Sequence, residues 1–248
     1  MKRYVWCAVV AIALSAAGPA FAGSTVVAVA ANFTEPAKEI AAAFARKTGD
    51  TATLSFGSTG ALYAQIGQGA PYEILLAADD ARPKLAIADG LAVDGSQFTY
   101  AIGTLVLYSA DAALITGPET LAEKGFDKIA LANPKTAPYG AAAVETMTKL
   151  GVYEDLKPRF VEGNSIAQTY QFVSTGNAEL GFVALSQIVG RETGSRWVVP
   201  EADHVPIRQD AVLLDPGREN TAADAFLEFL RGPEALKIIA QYGYRSGQ

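Results

Sequence analysis

The strongest constraint in this chain is a repeated order: a short apolar strand, a loop of small residues, then an amphipathic helix. Ser24 to Ala30 (STVVAVA) is β-branched and apolar, and passes through Ala31-Asn32-Phe33-Thr34 into a helical pattern over Phe33 to Lys47. Thr51 to Phe56 passes through Gly57-Ser58-Thr59-Gly60 into a helix over Thr59 to Ile66, and Glu73 to Ala77 passes through Asp79-Asp80 into a helix around Pro83 to Ala88. Further on, Ile129 to Ala132 is followed by Asn133-Pro134-Lys135-Thr136-Ala137-Pro138-Tyr139-Gly140 and a helix over Tyr139 to Leu150. Arg159 to Glu162 precedes a helix over Ser165 to Ser174, and a strand lies near Leu180 to Ala184. Strands alternating with helices in this way predict an α/β fold with mainly parallel sheets flanked by helices.

Two stretches break the repeat. Phe98 to Ser109 (FTYAIGTLVLYS) is long, extended and interrupted by Gly103, and Ala211 to Leu214 is an apolar strand behind the polar Arg208-Gln209-Asp210. Read as crossings between two lobes, they divide the chain into a first lobe of residues 23–104 plus 211–248 and a second lobe of residues 105–210. The helices expected over Ala222 to Leu230 and Pro233 to Tyr242 would pack back on the first lobe. Ligands in open parallel sheets sit beyond the carboxyl ends of the strands, which is where the loops opening the helices lie. A hinge would let the lobes close over that cleft.

The chemistry of those loops is restricted. The stretches Ala31–Thr34, Gly57–Gly60 and Asn133–Gly140 contain no Asp, Glu, His or Cys. Helix N-termini aimed at one point offer free N–H groups to an anion. Such a site reads as a receptor for a small oxyanion, not a catalytic centre. Taken singly, the residues have plainer readings: Asn32, Ser58 or Thr59 as helix caps, Tyr139 as a packing residue with a satisfied hydroxyl, Ile166 as core or cleft lining, and Lys135 as a solvated lysine. Asp79-Asp80 suits capping of the next helix better than a metal site or an acid/base pair, because adjacent strand residues point apart. His204, the sole histidine, sits in a polar turn and is expected at the surface; Tyr63, Tyr72 and Tyr100 are expected in packing or at the cleft rim. No G-x-S-x-G nucleophile elbow is present.

Residues 1–22 have the order of a secretory signal: Lys2 and Arg3, an apolar stretch from Tyr4 to Ala17, and Ala20-Phe21-Ala22 before Gly23. Removing them leaves 226 of the 248 residues and takes the formal charge from −6 to −8. The only cysteine, Cys7, leaves with the signal, so disulfides, thiolate metal sites and a cysteine nucleophile are excluded from the mature chain. The acidic balance argues against nucleic acid as a partner and against long-range steering of an anion. No second apolar run is long enough to span a bilayer.

The signal together with AANF, SFGSTGALYAQI, GAPYEILLAADD, NPKTAPYG, EGNSIAQ and ELGFVAL, in this order, resembles the periplasmic molybdate-binding proteins of ABC transporters over nearly the whole mature chain. The resemblance implies the two-lobed periplasmic-binding-protein fold of type II, with one ligand cleft between the lobes. It implies molybdate, and with it tungstate, as the ligand, with no cofactor, and molybdenum or tungsten present only as the oxyanion. By position, Asn32 with Ala31 beside it, Thr59 with Ser58 adjacent, Tyr139 and the backbone N–H of Ile166 would hold the anion. The family commonly has serine at the position of Thr59 and valine at that of Ile166. A further tyrosine found in some members corresponds to Ala184, so that contact is dropped. An ABC permease with its ATPase is the implied partner, the periplasm the implied location, and a monomer the expected state. The rival readings are the same fold binding sulfate, phosphate or a small organic acid, and a periplasmic enzyme, which lacks a visible nucleophile, metal cluster or acid/base pair.

Overall fold

The computed structural model describes residues 22–123 and 125–247. The proposed signal falls almost wholly outside the described residues. The strands are β1 (Ser24–Ala30), β2 (Thr51–Gly57), β3 (Ile74–Leu76), β4 (Phe98–Gly103), β5 (Leu105–Ser109), β6 (Ile129–Ala132), β7 (Phe160–Gly163), β8 (Leu180–Ala184), β9 (Ser195–Val198) and β10 (Ile207–Leu213). The helices are α1 (Thr34–Thr48), α2 (Thr59–Gly67), α3 (Ala81–Ala88), α4 (Thr120–Glu123), α5 (Pro138–Lys149), α6 (Tyr153–Leu156), α7 (Ile166–Ser174), α8 (Thr221–Arg231) and α9 (Pro233–Gln241).

These strands form two five-stranded sheets, ordered β2-β1-β3-β10-β4 and β7-β6-β8-β5-β9. In the first sheet β10 is antiparallel to β3 and β4, while β1 is parallel to β2 and β3. In the second, β5 is antiparallel to β8 and β9, while β6 is parallel to β7 and β8. Each sheet is therefore parallel but for one strand, and that strand is the one the chain enters from the other lobe. This is the two-lobed α/β architecture expected from the repeat.

The second crossing lies earlier than expected. β10 pairs with β4 from Ile207 onward, so residues 207–210 belong to the first sheet and not to the second lobe. The polar Arg208-Gln209-Asp210 hid this strand, because Gln209 and Asp210 are satisfied inside the protein by residues distant in sequence and Arg208 bonds Thr99 at the surface. β9, α4 and α6 were also not foreseen; each is only four residues long, too short for periodicity to register.

Local chemistry explains the main elements. α1 buries Ala37, Ile40, Ala43 and Phe44 on one face. It ends at Gly49, whose φ of 84° lets its N–H reach the Ala45 carbonyl, and Arg46 and Lys47 lie in its last turn against the negative helix end. One face of the first sheet packs on α1, α8 and α9 through Phe33, Phe44, Phe226 and Leu230; the other packs on α2 and α3 through Leu62, Ile66 and Ala86. In the second lobe, Met147, Leu131 and Phe182 lie in one cluster that also takes in Ala30, Ala31 and Ala78 of the first lobe. The two lobes thus touch through apolar surface.

They also touch through hydrogen bonds. The Gly60 N–H donates to the Thr136 carbonyl at 2.8 Å, and the Arg82 guanidinium donates to the Lys135 carbonyl at 3.1 Å. A Cβ on Gly60 would lie 2.9 Å from Thr136 Cα. This glycine is what permits the close approach of the two loops.

Within the second lobe, Gly140 has the same role between α5 and β6. A Cβ there would stand 2.1 Å from the Ala132 carbonyl oxygen. Gly140→Ala is expected to cost about 1–3 kcal/mol of stability through forced backbone shifts, read as a lower urea midpoint at unchanged slope; an unchanged midpoint would show that this turn yields freely.

Candidate functional site

Four of the loops that open helices converge between the lobes. The first lobe supplies Ala30, Ala31 and Asn32 from the end of β1 onward and Gly57, Ser58 and Thr59 from the end of β2 into α2; the second supplies Ala137, Pro138 and Tyr139 at the opening of α5 and Ile166 at the start of α7; the lone Ala78 after β3 completes the lining. Together they line one small cavity that offers about 10 Å³ to the centre of a water-sized sphere. No charged side chain is in this lining. All six residues singled out from the sequence, Ala31, Asn32, Ser58, Thr59, Tyr139 and Ile166, are brought together here, each no more than 6% exposed.

The lining brings together the opening turns of three helices. Thr59 and Ile166 are the first residues of α2 and α7, and Tyr139 is the second of α5 behind Pro138. First-turn N–H groups have no partner within their own helix, and the fixed φ of Pro138 suits that opening position. Among side chains, Thr59 is the best placed. Its Oγ1 accepts from the Ala78 N–H at 2.9 Å, which orients the hydroxyl and leaves its proton to donate.

Asn32 and Tyr139 are present, but their side chains face a different task. The Asn32 Nδ2 donates to Gln209 Oε1 at 2.8 Å and to the Tyr244 hydroxyl at 2.9 Å, so both its hydrogens are engaged. The Asn32 carbonyl accepts from Ser186 Oγ at 2.8 Å and from the Tyr244 hydroxyl at 2.8 Å. The Tyr139 hydroxyl accepts from Gln209 Nε2 at 3.2 Å. The hydrogen-bonding groups of these two side chains are thus engaged with Gln209 and Tyr244.

The capping alternatives are not realised at these positions. Phe33 and Ser58 occupy the caps of α1 and α2 without a side-chain hydrogen bond. Ser165 does cap α7, accepting from the Gln168 N–H. Asp79 acts as expected at α3: its carboxylate accepts from the Arg82 N–H and from the Arg82 guanidinium, both at 2.8 Å. Burial pushes the Asp79 carboxyl up, against the opposing pull of Arg82. Lys135 is exposed and outside the lining, and Ala184 is buried away from it. His204 corrects the sequence reading, since it is 9% exposed with Nδ1 2.8 Å from the Val205 carbonyl. The flanking Ala202, Val205 and Pro206 stay exposed, so it is the imidazole that turns inward.

Sequence reasoning missed Gln209, Tyr244 and Ser186, which support the site from behind. Their only signal was polarity inside an apolar strand at Gln209, and Tyr244 gave none. Burial pushes the Tyr100, Tyr139 and Tyr244 hydroxyls up, Tyr244 to about 12. All three therefore stay neutral in the folded protein well beyond physiological pH. Since their folded values lie above the unfolded value of about 10, the stability they contribute is full below pH 10 and is lost as pH rises above it.

Among the described residues no group of His, Cys, Asp and Glu could hold a metal ion, and no helix is long and apolar enough to cross a membrane. A larger cavity of about 310 Å³ opens beside the first, lined by Asp79, Asp80, Arg82, Glu145 and Arg208 among others. Its mixed charges do not favour an anion.

A family model described as bacterial extracellular solute-binding protein matches residues 25–245. This chain belongs to that family. Two relatives of this solute-binding protein carry the name molybdate-binding protein ModA. One, from Rhodobacter capsulatus, is 56% identical over 94% of this chain and 93% of its own length. The other, from Azotobacter vinelandii, is 53% identical over 88% of each. Among solved structures, a periplasmic molybdate-binding protein of Azotobacter vinelandii superposes with a TM-score of 0.87 at 40% identity, covering 90% of this chain and 100% of that one.

Thr59→Val keeps the volume of the side chain and removes both the donor and the acceptor for Ala78. Loss of the buried acceptor is expected to cost about 1–3 kcal/mol of stability, and anion affinity measured by titration calorimetry is expected to fall by at least roughly tenfold. Full affinity in the variant would remove this hydroxyl from the site.

Proposed function

We propose that this protein captures molybdate, and by the same geometry tungstate, in the cavity between its lobes, and delivers it to an ABC permease with its ATPase. The observation that carries the reading is the convergence of helix-opening loops from both lobes on one small cavity without a charged side chain. The ligands are the N–H groups of Asn32, Thr59, Tyr139 and Ile166, the Thr59 hydroxyl, and the neighbouring Ala31 and Ser58. The names of the relatives at more than half identity support the choice of anion.

The mechanism is binding without a chemical step. A dianion stripped of water costs several kcal/mol unless its oxygens are all met by donors. Neutral N–H and O–H groups supply that without a fixed point charge. The cavity as it stands is smaller than a tetrahedral oxyanion, so the lobes must part to admit one and close over it. Cavity size then separates molybdate and tungstate from the smaller sulfate. An anion bearing a proton, such as hydrogen phosphate, would find few acceptors for it and would be disfavoured. The protein works as a monomer in the periplasm, after removal of its signal.

Thermal unfolding of the mature protein with molybdate, tungstate, sulfate, phosphate and no anion tests the reading. A ligand at about 100 times its dissociation constant adds roughly 2.7 kcal/mol. Stabilisation by molybdate and tungstate alone is the expected result. A shift with sulfate or phosphate instead would keep the site and change the ligand, and no shift with any of the four would end the oxyanion reading.

A further inference from the structure

We propose that Gln209 is the positioning residue that sets the two halves of the anion site in register, holding the first loop through Asn32 and the third through Tyr139. The inference rests on the oxyanion reading above, and no contact of Gln209 with the anion is required.

Gln209 is wholly excluded from solvent and lies on β10, the strand by which the chain returns to the first lobe. Its Oε1 accepts from Asn32 Nδ2 at 2.8 Å and from the Tyr100 hydroxyl at 3.1 Å, while its Nε2 donates to the Tyr139 hydroxyl at 3.2 Å. Asn32 belongs to the first lobe and Tyr139 to the second, and both line the cavity. One carboxamide therefore joins a ligand loop of each lobe.

Two features of the backbone serve this arrangement. The pairing of β10 with β4 shifts register between Gln209 and Asp210, skipping Tyr100 on β4. The extra residue lies on β4, where Tyr100 and its neighbour Ala101 are both buried, and the Tyr100 hydroxyl reaches Gln209. Asp210 is occupied separately by Gln97 and Thr99. At the first crossing, a Cβ on Gly103 would lie 2.1 Å from the Tyr139 hydroxyl and 2.7 Å from Gln209 Nε2. The crossing gives up its side chain where the phenol and the carboxamide meet.

A carboxamide suits the position because it accepts at one end and donates at the other. A carboxylate of the same shape would accept at both. It would force the Tyr139 hydroxyl to turn and donate to it, and would set a negative charge directly behind a cavity for a dianion. The titratable groups around the position are Tyr100 on β4, Tyr139 on α5 and Tyr244 near the C-terminus, with the carboxylates of Asp210 on the same strand and Asp79 after β3. The three tyrosines are neutral over the range of the test.

The test is sodium molybdate binding to the mature wild-type protein and to Gln209→Glu by titration calorimetry between about pH 6 and 8.5, a window in which a buried glutamate titrates. Wild-type affinity is expected to be flat. Gln209→Glu is expected to bind at least roughly thirtyfold more weakly at the upper end and to recover most of that loss at the lower end, as its carboxyl gains a proton. A pH-independent loss, or no loss in a folded variant, overturns the proposal. If Gln209→Glu does not fold, Tyr139→Phe carries the test. It removes the bond to Gln209 together with the hydroxyl's bond to Tyr244, both across the lobes, and its molybdate off-rate is expected to rise several-fold with little change in on-rate; an unchanged off-rate overturns the proposal. Absence of molybdate binding by the wild-type protein would instead overturn the functional reading itself.

Discussion

A helix cannot satisfy the N–H groups of its own first turn, and this protein is arranged around that deficit. Thr59, Tyr139 and Ile166 stand in the opening turns of three helices, two from one lobe and one from the other side of the cleft being insufficient by themselves to enclose anything. Enclosure comes only when the lobes meet. The neutral lining, the glycine at position 60 and the proline ahead of Tyr139 all follow from bringing backbone, and not charged side chains, up to one point.

Backbone donors are exact in direction but cannot adjust themselves, so their placement depends on what lies behind them. Here that backing is a buried polar cluster of Asn32, Tyr100, Tyr139, Ser186, Gln209 and Tyr244, drawn from both lobes. Each member is neutral, so the cluster adds no charge that would compete with or collapse onto an anion. Burying so many polar groups is tolerable because they satisfy one another.

Much of the fold was legible from pattern. β1, β6 and β8 have the bounds read from their apolar runs, and α2, α5, α7 and α8 lie within a residue or two of theirs, because strong periodicity and small-residue loops fall at the same places. The four loops of the cavity were legible for the same reason, aided by the resemblance in their motifs. The supporting cluster was not. Gln209 is polar within a strand, which reads as a loop until its partners are known, and those partners lie far away in sequence at Asn32, Tyr100 and Tyr139. The inward position of His204 was hidden likewise, since a polar turn gives no sign of which way it folds. Register shifts such as that at Tyr100 leave no trace in hydropathy.

The order of strands in the first sheet also bears on how the chain assembles. The second sheet is built from one uninterrupted stretch, β5 through β9, and can close on local and mid-range contacts. The first sheet has β10 lodged between β3 and β4, so these two strands stay unjoined until about a hundred further residues have been made. Synthesised or exported from the N-terminus, the chain would complete its second sheet first, while β3 and β4 wait with unpaired edges. Contacts so distant in sequence form slowly, and exposed edges invite pairing with other chains. The strand that carries Gln209 is therefore also the one whose late insertion ends the first sheet's period of exposure.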